Sequence, residues 1–534
     1  IMCEYGHAMG NSFGAVHKYL ELAYREPLFQ GGFIWDFADQ VIQRTDRYGR
    51  GYFGYGGDTG DAPNDLDFSG NGVWFVDRGA TPKTQELKYL YQPIEVVISP
   101  SGFTVNNRHL FTGAGDYDCL ASLSRDGRKL AERRLEIEVG PGESRAYPPA
   151  FAIPKGPGEY AVDISFRLRS ATAWAEAGYE VAFGQAVCRA AWDTGTGQTG
   201  AGAGAGRAEA GRAGAGRAEA GRAEAPELVE GIHNFGVRGR HFMALFSRIH
   251  GGLVSYRFGF TPDGGHELLR GVPRPNFWHA PTSNEVGWQM PLRDGQWLLA
   301  SRYARIRNDL PGGGGAGADP AAANPSAACL ADRVEVRYGL ELGGAPPSQC
   351  DMVYSVFADG RIELELTVRP GAGLGDMPEF GALLTASADL RRLRWYGDGP
   401  AETYVDRRRG ARLGIYEADV ADQLTAYLRP QEAGNHTGVR WAEVTDGRGN
   451  GLRFDCAGQA GGMEFSALPW TPFEIENAAH PVELPPIQQT VLRPALMRRG
   501  VGGDDSWGAE PHPEYRLPAG RELVFRFGFK GLRG

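Results

Sequence analysis

The sequence has no run approaching about 18 uninterrupted apolar residues, so no stretch of it reads as a membrane-spanning helix. It has no excess of basic charge either: 56 Lys and Arg stand against 65 Asp and Glu, a formal net charge of -9. That balance argues against nucleic acid or an anionic membrane surface as a partner, since either calls for a basic face. Cysteine is scarce. Cys3, Cys119, Cys188, Cys329, Cys350 and Cys456 are scattered without close pairing, which suits a reduced, cytoplasmic setting better than a disulfide framework. No signal peptide is visible, and position 1 is Ile rather than Met, so the chain is expected to be missing its true N-terminus.

What is present is a globular composition. The 534 residues are 42% hydrophobic and include 11 Trp, 21 Tyr and 26 Phe, enough to build the cores of roughly two to four domains. One tract cannot pack: residues 195–227, "GTGQTGAGAGAGRAEAGRAGAGRAEAGRAEAPE", hold almost nothing larger than Ala apart from charged groups and read as a flexible linker at a domain boundary. A second tract, "PGGGGAGADPAAANPSAA" at 311–328, reads as an expanded surface loop.

The opening "IMCEYGHAMGNSFGAVHKYLELAYREP" places an apolar run before Glu4 and His7, then a Gly10-Asn11-Ser12 break. Phe13, Val16, Tyr19, Leu20 and Ala23 follow at helical spacing, which predicts a helix over about 12–25 capped by Ser12 or Asn11. Glu4 is thus expected at the end of a buried strand, where parallel α/β folds place catalytic groups; an ordinary surface Glu is the plainer alternative. "FQGGFIWDFADQ" repeats the pattern, a short strand over Phe33, Ile34 and Trp35 ending at Asp36. Two such strands around one helix fit consecutive units of a (β/α)8 barrel.

From about residue 94 the period changes to two. Val162, Ile164, Phe166 and Leu168 alternate with Asp163, Ser165, Arg167 and Arg169, and Asp126-Gly127 reads as a hairpin turn. After the linker the alternation runs on through Val334 to Leu342, Ile362 to Val368 and Phe525 to Phe529. The expected organisation is the end of a TIM barrel (1–93), an immunoglobulin-like β-sandwich (94–192), the linker (193–227) and a large all-β supersandwich (228–534).

The motifs "CEYGHAMGNS", "QGGFIWDFADQ", "YGGDTGDAPNDLDFSGNG", "TAWAEAGYEVA", "RWYGDGPAETYVDR", "RPQEAGNHTGVRW" and "GVGGDDSWG", in this order, resemble the large five-domain β-galactosidases of glycoside hydrolase family 2. The resemblance spans nearly the whole chain apart from the two low-complexity tracts. It implies hydrolysis of terminal β-galactosides such as lactose with retention, by two carboxyl groups about 5 Å apart. Glu4 matches the nucleophile; the acid/base matches no residue of this chain. The resemblance further implies that His7 bonds galactose hydroxyls and that Trp35 floors the sugar ring. Phe68, through its carbonyl, and Asn71 would hold a sodium ion that touches the sugar, and Asn64 would reach a magnesium site through water, the direct magnesium ligands lying outside this chain. Gly287, in "APTSNEVG", would hinge an active-site loop. A homotetramer is implied for the complete enzyme. Tyr5 is expected to point away from Glu4 and takes no role. Trp395, Glu402, Tyr404, Arg407, Asn435, His436 and Arg440 are expected to be structural.

Two departures stand out. Gly6 replaces the family's usual Ala, loosening the loop beside Glu4. The family's aglycone-stacking tryptophan aligns at or near Val491, which puts lactose preference in doubt. With half of a catalytic pair, the polypeptide alone is expected to be inactive. The rival readings are a carbohydrate-binding or structural β-sandwich protein, a β-glucuronidase or β-mannosidase of the same superfamily, and a separately encoded complementing subunit.

Overall fold

The computed structural model describes residues 1–189, 225–259, 265–307 and 324–534. The expected linker lies outside the described residues except at its end, where Glu227 opens the strand Glu227–Glu230. The second low-complexity tract also ends earlier than expected: Ser326–Cys329 pairs as a strand with Arg333–Leu342. Composition misses this because the neighbouring strand edge supplies the backbone partners.

The chain begins with β1 (Met2–Tyr5), α1 (His17–Arg25) and β2 (Gly32–Ile34), and β1 pairs β2 in parallel. This is one strand-helix-strand unit, as the periodicity predicts. Two details differ. α1 starts at His17 with Val16 as its N-cap residue and no side-chain cap. Asn11 and Ser12 are instead buried in the preceding loop, where Asn11 donates from Nδ2 to the Glu432 carbonyl at 2.6 Å and from its backbone N–H to Gln431 Oε1 at 3.0 Å. Tertiary partners thus outcompete the capping role. In addition, only Tyr5 of β1 is buried, because the described residues give this sheet just two strands. Tyr5 points into a small core with Phe13, Val16, Val73 and Leu90, opposite to exposed Glu4, as alternation along a strand requires.

Next come two antiparallel sheets sharing one core. Three strands (Ile94–Ser99, Gly102–Asn107, Ser144–Tyr147) face four (Tyr117–Arg125, Arg128–Leu135, Glu159–Leu168, Glu180–Arg189), with Ile94, Val105, Ala121, Ile164 and Phe166 fully buried between them. The Asp126-Gly127 turn has φ of 48° and 77°, the left-handed pair that a two-residue hairpin needs. A Cβ on Gly127 would stand 2.6 Å from the Ile415 side chain, so this turn is also a docking point on the following domain.

That last region is all β apart from short helices. Two five-stranded sheets and one ten-stranded antiparallel sheet enclose a large core, with a small satellite cluster around Ala280, Leu468 and Ile475. The alternating residues Val334 to Leu342, Ile362 to Val368 and Phe525 to Phe529 lie inside it as expected, each large apolar side chain contributing about 1.5–3 kcal/mol. The C-terminal strand Leu523–Leu532 lies between Ile362–Arg369 and Gly451–Asp455, so the ten-stranded sheet is complete only with the chain's last residues. No helix among the described residues is long and apolar enough to cross a membrane.

Candidate active site

Four segments far apart in sequence converge on His7. The loop after β1 is tied to the loop after β2 by backbone bonds: Trp35 N–H to the Tyr5 carbonyl (3.2 Å), Ala8 N–H to the Trp35 carbonyl (2.8 Å) and Asp36 N–H to the Asn71 carbonyl (2.7 Å). Gly6 holds φ at +61°, a conformation that glycine adopts without the Cβ penalty an alanine would meet, so it suits the turn rather than merely loosening it. Beneath the loop, Lys83 is buried and donates from Nζ to the carbonyls of Ala8 (2.7 Å) and Gly10 (2.9 Å). Burial pushes its ammonium down to about 7, with Asp39 opposing the shift. A neutral amine has two N–H donors, so either protonation state satisfies both carbonyls.

The His7 ring is buried, and its Nδ1 lies 2.7 Å from Ser506 Oγ. Ser506 donates onward to Asn284 Oδ1 at 2.6 Å, so His7 donates from Nδ1 and, when neutral, presents Nε2 as an acceptor. Burial lowers the His7 pKa, against the opposing fields of Glu4 and Asp505. The ring meets Trp507 edge-on at 5.3 Å and Phe68 at 5.6 Å. Glu4 is exposed beside it, Trp35 is 41% exposed and Trp507 is 55% exposed. An open indole against the histidine, a second open indole on the adjoining loop and an exposed carboxylate form an arrangement suited to a sugar, whose C–H faces pack on aromatic rings.

Val491, the position at or near which the family's stacking tryptophan was expected to align, lines no open surface. It is buried in the strand Gln489–Arg498, whereas Trp507, inside the quoted motif "GVGGDDSWG", supplies the exposed aromatic. Asp505 Oδ1 accepts the N–H groups of Trp507, Gly508 and Ala509 at 2.8 to 3.0 Å, fixing the turn that presents the indole. Trp507, Ser506, Asn284 and Lys83 are the residues sequence reasoning missed. Trp507 and Ser506 share that motif and Asn284 lies in "APTSNEVG", whereas Lys83 had no such signal.

Asn71 is buried; its Nδ2 donates to the Phe68 carbonyl at 3.1 Å, while Oδ1 has no hydrogen-bond partner among the described residues. A buried amide oxygen left unpaired costs about 1–3 kcal/mol, and the Phe68 carbonyl, which accepts from the Nδ2 of the same amide, keeps a second lone pair. This donor set fits a hard cation such as sodium. Asn64 is exposed and used in a turn, its Nδ2 donating to the Asp61 carbonyl and its Oδ1 accepting the Leu66 N–H; Oδ1 retains one lone pair for water.

Gly287 ends the short helix Ser283–Gly287, whose start is a capping box of Thr282 and Glu285. A Cβ on Gly287 would lie 2.0 Å from the Ser506 carbonyl oxygen, so only glycine lets this helix seat against the Ser506-Trp507 backbone. Ser283 donates to Asp67 Oδ2 at 2.8 Å, joining the helix to the turn that carries Phe68. Glu402 and Arg407 form a buried ion pair at 2.9 Å, and His436 stacks on Trp395 at 4.0 Å while bonding Gln423. Both sit in the framework of the domain, as their motifs suggested.

Comparison with known proteins follows the same division. Residues 1–96 match the profile described as the TIM barrel domain of family 2 glycosyl hydrolases, 103–189 that of β-galactosidase domain 4, and 238–529 that of the β-galactosidase small chain. The chain is 38% identical to a β-galactosidase of Halalkalibacterium halodurans over 99% of its own length and 48% of that protein. It is 36% identical to one of Priestia megaterium over 100% and 48%, and 35% identical to one of Streptococcus thermophilus over 100% and 47%. The chain thus spans about half the length of the curated relatives it matches. On these matches, and with a family 2 barrel segment and a β-galactosidase domain 4 preceding the matched region, the chain belongs to the β-galactosidase small-chain family.

Proposed function

We propose that this chain supplies the nucleophile side and the leaving-group side of a retaining β-galactosidase acting on lactose-like galactosides. The observation that supports the reading is the exposed Glu4 carboxylate, which acts electrostatically on a buried His7 that itself packs against the open Trp507 indole. A Glu4 oxygen attacks the anomeric carbon and the bond to the leaving oxygen breaks, giving a galactosyl ester. The leaving oxygen takes its proton from an acid/base outside these 534 residues, and the same group later deprotonates the water that cleaves the ester with net retention. The polypeptide by itself is therefore inactive in this reading.

Trp35 floors the galactose ring, His7 accepts a sugar hydroxyl at Nε2, and Trp507 is the platform for the aglycone. The Phe68 carbonyl and Asn71 Oδ1 hold sodium, which supplies an electrostatic anchor for sugar oxygens; Asn64 reaches a magnesium ion through water. The Gly287 segment hinges over the site, the seven-stranded sandwich is immunoglobulin-like, and the complete enzyme is a cytoplasmic homotetramer. Incubation of the full-length enzyme with a 2-fluoro-galactosyl fluoride and mapping of the labelled peptide tests the reading. A label on Glu4 with retained product stereochemistry is expected; a label elsewhere, or an inverted anomer, overturns it.

A further inference from the structure

The segment that carries Ser506 and Trp507 is held from the opposite end of the chain. On α1, Tyr19 donates from Oη to Asp504 Oδ1 at 2.6 Å. The other Asp504 oxygen lies 2.8 Å from His512 Nε2. Lys18, beside Tyr19, reaches His512 Nδ1 and Glu514 and lies over the Tyr515 ring at 5.3 Å. The proton positions follow. An ammonium only donates, so His512 accepts at Nδ1 and donates from Nε2 to the Asp504 carboxylate, which also takes the Tyr19 hydroxyl. Asp504 is thus clamped between a phenol on α1 and an imidazole that is itself oriented by α1, two residues before Ser506 and three before Trp507. The backbone adds one further tie, Gly14 N–H to the Gly502 carbonyl at 2.7 Å.

We infer that Tyr19, Lys18 and His512 are positioning residues for leaving-group recognition: acting through Asp504, they set the height and angle of the Trp507 indole over the site. The inference rests on the proposed galactosidase reading and deepens it. β1 and α1 are consecutive elements, so the helix that follows the nucleophile strand also fixes the aglycone platform. The two halves of the substrate are thereby registered to one strand-helix unit rather than to a loop of the distant domain. None of the three side chains is placed at the galactose, so their effect is confined to substrates with a bulky leaving group.

The test uses the full-length enzyme, wild type and the variants Tyr19→Phe, His512→Ala and His512→Gln. Two readouts are taken: steady-state kinetics on lactose, and the rate of labelling of Glu4 by 2-fluoro-galactosyl fluoride, whose leaving group is a single atom. Tyr19→Phe and His512→Ala are expected to raise KM for lactose about five-fold, the scale of one lost hydrogen bond, with the labelling rate unchanged. His512→Gln, which donates to Asp504 and accepts from Lys18 through one amide, is expected to restore KM. An unchanged lactose KM in both disruptive variants overturns the inference. So does a parallel loss of labelling, which marks a general structural role. Tyr19→Phe removes a single oxygen, which guards against a trivial folding failure. If wild-type enzyme is not labelled on Glu4, the galactosidase reading fails and the inference with it; labelling on Glu4 with an unmoved KM sinks the inference alone.

Discussion

His7 and Ser506 are 499 positions apart in sequence, yet Nδ1 of one lies 2.7 Å from Oγ of the other. The bond fixes the imidazole tautomer, because Ser506 spends its own proton on Asn284. In the full-length enzyme, Ser506→Ala is expected to free the ring and lower kcat/KM for galactosides about five-fold, consistent with one lost neutral hydrogen bond. Kinetics on a galactoside and the matching glucoside check it, since the loss should fall on the galactoside.

Glu4→Gln keeps the shape of an exposed side chain but removes the charge that the proposed nucleophile requires. Turnover of the full-length enzyme is expected to fall on the order of 10³-fold or more, with the melting temperature unchanged because the side chain is solvent-exposed. A variant retaining more than a tenth of wild-type kcat excludes Glu4 as the nucleophile.

Lys83→Met removes both donors from the carbonyls of Ala8 and Gly10. Two buried acceptors left unpaired are expected to cost roughly 2–4 kcal/mol, measurable by denaturant unfolding. The pH dependence has a definite sign. With its folded pKa lowered from 10.5 to about 7, Lys83 binds more protons unfolded than folded between those values. Its contribution to stability therefore rises with pH across that window and is lowest below it. Lys83→Met should flatten that rise.

Glu285 behaves in the opposite way. Burial alone would raise its pKa, but His279, Arg499 and the Thr282 N–H outweigh burial and hold it at about 2, down from 4.5. The carboxylate's contribution is complete above pH 4.5 and is lost as the pH falls towards 2, a difference of about 3 kcal/mol. Hydrogen exchange of the Ser283–Gly287 helix is expected to accelerate across that acid window, and Glu285→Gln should produce the accelerated rate already at neutral pH.

Much of the fold was legible because periodicity is a local property. The alternation from Val334 to Leu342 and from Phe525 to Phe529 needs only a strand with one face in a core, and the Asp126-Gly127 turn needs only two left-handed residues. Local patterning failed where long-range partners intervened. Asn11 and Ser12 have the chemistry of helix caps, yet Gln431 and Glu432 claim the Asn11 donors and α1 starts at His17.

The site divides along the same line. Glu4, His7, Trp35 and Asn71 sit in short motifs near the start of the chain, and their expected roles come from the resemblance those motifs carry. Their partners could not. Ser506 orients His7, Trp507 rather than the Val491 position offers the open aromatic, Lys83 braces the loop, and Tyr19 reaches Asp504. Sequence alone determined which side chains are available for the proposed chemistry, because that is fixed by covalent identity. Only the tertiary structure decided which of them meet, because hydrogen bonds and ring contacts act over a few ångströms and carry no trace of the hundreds of residues between the partners.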